Sequence, residues 1–175
     1  RIPNTFRRLF SEGTFNAAFV PSYSSVLDNK KKSQKFANNI FSLLIVGLFF
    51  LVLVIEIMMP IFVFLIAPGF EGDYQKMELA ITLTRITFPF LMFISLASFF
   101  SAILNSHNKF AVASAAPIIL NILLIGVLLF GKILNDQLVY YLSYAVTISG
   151  LLQLIFLYFF VKKHFSPKIN LSFKI

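Results

Sequence analysis

The sequence predicts an all-α fold: a polytopic transmembrane helix bundle, a fragment with one partial and four complete membrane helices. Three observations lead there. Of 175 residues, 58% are hydrophobic and only 13% charged, with 23 phenylalanines and a mean hydropathy of +0.86. Soluble domains run nearer about 45–50% apolar and about 25% charged. The apolar residues gather into four runs long enough to cross the hydrocarbon layer, which takes about 20 helical residues. The lysines cluster between alternate runs, as in the charge pattern that sets membrane topology.

The opening stretch, RIPNTFRRLFSEGTFNAAFVP (1–21), carries a cationic face. On a helix at about 100° per residue, Arg1, Asn4, Arg7, Arg8, Ser11 and Glu12 fall within an arc of roughly 140°. Ile2, Thr5, Phe6, Leu9 and Phe10 take the other side. This is the pattern of a helix lining a wet cavity inside a membrane protein, and equally of a helix lying on a membrane surface. Residues 1–20 read as the end of a transmembrane helix. Residues 21–40, with Pro21, Asp28, Lys30, Lys31, Lys32 and Lys35, read as a basic cytoplasmic loop.

Residues 41–67 form the first full span. Glu56 is its one charge, and Pro60 removes a backbone donor and kinks the helix. Membrane helices tolerate this when neighbours or water re-satisfy the freed carbonyl. Glu71, Gly72 and Asp73 make a short acidic turn. The second span is 74–104, with Arg85 and Pro89 inside. After a polar turn at 105–109, the third span, 110–130, contains Pro117 and Asn121. The fourth, 138–161, has Gln153 as its most polar interior residue, and 162–175 form a cytoplasmic tail or linker.

Four spans alternate sides, so the segments at 30–35, 105–109 and beyond 161 share one side. They hold Lys30, Lys31, Lys32, Lys35, Lys109, Lys162, Lys163, Lys168 and Lys174, against Lys76 and Lys132 opposite. Nine lysines against two make the first side cytoplasmic. The asymmetry turns the opening stretch into the cytoplasm-directed half of a spanning helix. The chain opens on Arg1 inside a patterned segment, with no signal-peptide region ahead of it. It is therefore expected to be part of a longer polypeptide.

The net charge of +8 does not indicate nucleic acid, because the charges sit in short clusters beside apolar runs. Cysteine is absent, which excludes disulfides and thiolate chemistry. The seven glycines are scattered and form no phosphate-cradling loop. His107 and His164 fall in turns or tails and read as solvated. No metal site or cofactor is expected, and no enzyme activity.

Intramembrane charge remains. Such residues face the bundle interior, pair with one another, or mark a substrate path. Glu56 lies 11 residues before Ala67 and Arg85 lies 11 after Tyr74, so in a hairpin both stand roughly 16 Å from the turn. They are expected to form an ion pair; the alternative is that each faces a wet cavity separately. Arg7 and Arg8 suit phosphate, because arginine offers a planar, permanently charged fork. Glu12, four residues after Arg8, can pair with it. Arginines snorkelling to the cytoplasmic surface are the competing reading.

The opening stretch, with its Arg-Arg-x-Phe-x-Glu-Gly core at 7–13, resembles the second transmembrane helix of the MurJ (MviN) lipid II flippase family. That family belongs to the multidrug/oligosaccharidyl-lipid/polysaccharide exporter superfamily. PIFVFLIAPGF (60–70), ITFPFLMFISLAS (86–98), AILN (102–105) and AAPIILNI (115–122) resemble its following helices, in order, over nearly the whole chain. The resemblance implies part of the N-terminal lobe of a two-lobed transporter in the bacterial inner membrane. It implies movement of lipid II, the undecaprenyl-diphosphate-linked disaccharide-pentapeptide, from the cytoplasmic to the periplasmic leaflet by alternating access. Arg7 matches the family's essential cavity arginine, with Arg8 beside it, Glu12 at a gating position and Asn121 at a cavity-side asparagine. The expected partners are lipid II, the bilayer and the rest of the same polypeptide: the missing N-terminal helix and the C-terminal lobe.

Three rivals follow. An exporter of another polyprenyl-diphosphate-linked glycan would use the same arginine logic. A polyprenyl-phosphate transferase would need acidic metal ligands on the cytoplasmic side, where Asp28 stands alone. A non-transporting scaffold would tolerate Arg7→Ala.

Overall fold

A computed structural model of the chain describes residues 14–70, 72–131 and 137–169. All regular structure in these residues is helical: α1 (Thr14–Ser24), α2 (Lys30–Ile57), α3 (Met59–Ile66), α4 (Tyr74–Thr87), α5 (Phe90–Ser106), α6 (Phe110–Ala115), α7 (Ile118–Leu129) and α8 (Leu138–Val161). Four helical stretches are long and apolar enough to cross a membrane: Lys30–Ile57, Tyr74–Ser106, Phe110–Leu129 and Leu138–Val161. The chain is a multi-pass helical membrane protein.

Prolines set the breaks within the spans. The helix of the first span stops at Ile57, and Pro60 lies in the first turn of α3. Pro89 is the N-cap of α5 and Pro117 that of α7. Each lacks the N–H that would continue the ladder, and its ring crowds the carbonyl four residues earlier. Pro21, by contrast, lies inside α1. The freed backbone at Pro89 is partly answered from another helix, because Thr147 on α8 donates its hydroxyl to the Ile86 carbonyl.

α5 is the hub. In the span it shares with α4, 67% of the most apolar window is buried, against 6% in Phe110–Leu129. α1, α2 and α8 all pack on it. α8 offers a face of small buried residues, Ser143, Ala145, Ser149 and Gly150. Where lipid supplies no hydrophobic drive, small residues let backbones approach and make dispersion contact. At the end of the bundle where α1, α2 and the tail after α8 meet, Phe99 is fully buried. Around it stand Phe19 at 5.2 Å, Phe41 and Phe165 at 5.8 Å and Phe100 at 5.9 Å between ring centroids, within the range of favourable aromatic pairs.

The basic segment differs from the sequence expectation. Helix α1 runs on through Pro21 to Ser24 and only a short turn separates it from α2, so 21–40 is not a loop. Asn29 caps α2 by accepting from the Lys32 N–H at 3.1 Å, and Lys30, Lys31, Lys32 and Lys35 lie in its first turns. At 28 residues, α2 is about 42 Å long and outruns a hydrocarbon layer of about 30 Å. The lysines ride on the helical extension. The tail after α8 folds back on it. Gln34 exchanges hydrogen bonds with the Ser166 backbone, and the Lys168 N–H donates to Asn38 Oδ1 at 2.8 Å. The turn between α5 and α6 closes with Asn108 at φ 59° and Lys109 N–H donating to the Leu104 carbonyl at 2.8 Å. This is a left-handed helix terminator at a residue type that tolerates it.

Candidate functional site

Of the residues singled out from sequence, Arg7, Arg8 and Glu12 lie outside the described residues. Glu56 is half-buried near the end of α2, with Oε1 buried and without a hydrogen-bond partner. Arg85, in the last turn of α4, is exposed. The expected Glu56–Arg85 ion pair is not made: the ion pair found among the described residues is Lys76–Asp73, at 2.8 Å. The break before Pro60 explains the difference. It is α3, not the end of α2, that packs extensively along α4, so equal counts from the turn do not bring the two side chains together. Both charges stand four residues before a proline, Pro60 and Pro89, where the helix ladder is interrupted. Asn121 sits on α7 with its side chain exposed, one turn after the Pro117 break.

Three arrangements escaped the sequence. First, the N-terminal end of α2 and the returning tail enclose an open groove of about 870 Å³, lined by Lys30, Lys31, Lys35 and Lys168 with Gln34, Asn38 and Asn39. Second, His107 and His164 do not stand apart in solvent. Their rings stack at 4.3 Å, with Tyr23 edge-on to His107 at 6.0 Å. Burial, and secondarily the neighbouring His164, hold the His107 imidazole below the usual histidine range. Third, a polar pocket of about 210 Å³ lies within the bundle, between α1, α5, α6 and α8. Asn16, Ser98, Ser101, Asn105, Ser114 and Gln153 line it beside Ile94, Pro117 and Leu157. The sequence had marked Gln153, as the most polar residue inside the fourth span, and Pro117, inside the third.

The family described as lipid II flippase MurJ matches residues 1–174. The chain belongs to the lipid II flippase MurJ family. It is 39% identical over 179 residues to a probable lipid II flippase MurJ of Rhizobium tropici, covering 99% of this chain and 33% of that protein. To a probable lipid II flippase MurJ of Rickettsia prowazekii (strain Madrid E) it is 38% identical over 165 residues, 93% of this chain and 32% of that protein. To the lipid II flippase MurJ of Burkholderia cenocepacia it is 35% identical over 155 residues, 87% and 30% of the two chains. The chain thus spans about a third of the length of these curated MurJ relatives.

Proposed function

We propose that the chain forms part of the N-terminal lobe of a transporter that moves lipid II from the cytoplasmic to the periplasmic leaflet of the bacterial inner membrane. Membership of the MurJ family over residues 1–174 is the observation that carries this reading. Four membrane-length helices and the lysine asymmetry support it. The protein acts by alternating access, with no covalent bond made or broken. Arg7 and Arg8 hold the diphosphate through charge-assisted, forked hydrogen bonds, in a cavity where low dielectric strengthens the attraction. The lipid tail stays in the bilayer through a lateral opening, and rocking of two lobes exposes the cavity to the other side. Glu12 neutralises Arg8 when substrate is absent. Asn121 faces the cavity, and Glu56 and Arg85 are gating charges on either side of the turn between the first two full spans.

Complementation tests this. In a bacterium depleted of its own flippase, the intact transporter containing this chain restores growth and Arg7→Ala does not, at equal membrane abundance. Rescue by Arg7→Ala removes the arginine mechanism. Failure of the unsubstituted protein, expressed and membrane-inserted, removes lipid II as the cargo and favours another polyprenyl-diphosphate-linked glycan.

A further inference from the structure

We propose that the polar pocket between α1, α5, α6 and α8 is an internal hydration site, holding ordered water that bridges α1 to α8. The inference stands apart from the transport reading and rests on two observations.

The first is a pair of orphaned atoms. Asn16 Oδ1 and Gln153 Nε2 are buried and make no hydrogen bond to any described group, and Gln153 is only 1% exposed. It sits eight residues before the end of α8, about 12 Å along the helix axis, inside an apolar span. An unsatisfied polar group there costs several kcal/mol. One orphan is an acceptor and the other a donor, the complement of a water molecule.

The second is the state of the hydroxyls. Elsewhere in the bundle several helix hydroxyls bond back to the carbonyl four residues earlier: Ser95 to Leu91, Ser106 to Ala102, Ser143 to Val139, Thr84 to Ala80. That is how such residues satisfy themselves inside helices. Ser98, Ser101 and Ser114 make no such bond in this structure, and all three line the pocket. Three free hydroxyls thus line the same space as the orphaned amides.

The chemistry selects water over other occupants. Among the described residues the lining contains no carboxylate, and the unpaired N–H of Gln153 points against a cation. A lipid chain would leave both amides unpaired. The volume of about 210 Å³ lies below the roughly 300–1,000 Å³ of small-molecule sites, yet takes several waters at roughly 30 Å³ each.

Radiolytic footprinting of the intact transporter in detergent micelles reads this directly, because an X-ray pulse makes hydroxyl radicals wherever water is bound. Leu157 lines the pocket and Leu104 does not, and each is 1% exposed. Leu157 is expected to be oxidised severalfold faster than Leu104, with the excess falling in Gln153→Leu. Equal protection of the two leucines in the unsubstituted protein overturns the proposal. It would mean that the pocket is dry or filled by protein. Because that comparison needs no variant, misfolding of Gln153→Leu leaves it decisive.

Discussion

The contact between α5 and α8 is the most extensive among the described helices, and Gly150 lies in it. A Cβ built at Gly150 would stand 2.6 Å from Phe90 Cδ2 and 3.1 Å from Phe93 Cβ. Carbon atoms in good contact are separated by about 3.5–4.0 Å, so the methyl of alanine overlaps the Phe90 ring by about 1 Å. Phe90 is 5% exposed, so its ring moves only by displacing its neighbours, and Phe93 Cβ is fixed by its own backbone. Overpacking of this kind costs about 1–3 kcal/mol. Against it stands the helix-propensity gain of alanine over glycine, about 1 kcal/mol. Clash wins, and Gly150→Ala is expected to lower stability by about 1 kcal/mol at the middle of that range. The assay is unfolding of the intact transporter in detergent, by heat or by SDS titration, for the unsubstituted protein, Gly150→Ala, Phe90→Ala and the pair. In the Phe90→Ala background the nearest contact is gone, and Gly150→Ala should become neutral or favourable. If Gly150→Ala stabilises the protein while Phe90 is present, or costs the same in both backgrounds, the packing argument is wrong.

Further outcomes follow from the same geometry. Thr147→Val removes the hydroxyl that serves the Ile86 carbonyl beside the Pro89 break. Leaving this part-buried acceptor unpaired costs about 1 kcal/mol, the low end of the range for buried groups, read in the same unfolding assay; no loss would mean that the break does not need α8. The stacked His107–His164 pair makes stability depend on pH. His107 is held below its usual range, so the unfolded chain binds the proton more readily. Its contribution is fully present above the free histidine value of about 6.5 and is lost as pH falls through the histidine range. Melting temperature should therefore drop on acidification, and His107→Gln should flatten that part of the profile.

Periodicity and charge count give the bundle itself away. An apolar run of more than about 20 residues has one way to satisfy its backbone in lipid, and that is a helix. Composition alone therefore dictates four spans, and the lysines at 30–35, 109 and 162–168 orient them. The prolines announce their breaks for an equally local reason, because a missing N–H is a property of the residue. The basic segment misled, since lysine clusters read as loop on composition while Asn29 provides a cap that lets the helix begin among them. Motif order likewise reveals the family, and Arg7 is a sequence inference throughout.

Pairings between elements needed the tertiary structure. Counting residues from a turn suggested a Glu56–Arg85 ion pair, but the interruption before Pro60 changes which side chains face each other. His107 and His164 are 57 residues apart in the sequence and meet only because two helix ends finish side by side. The pocket is the clearest case. Asn16, Ser98, Ser114 and Gln153 lie on different helices, and each alone is an ordinary polar residue in an apolar run. Sequence determined that these helices cross a membrane, since that depends on the solvation of each segment by itself. Only packing decided which polar atoms are left facing one another without a partner, because that depends on distances between helices that no local pattern encodes.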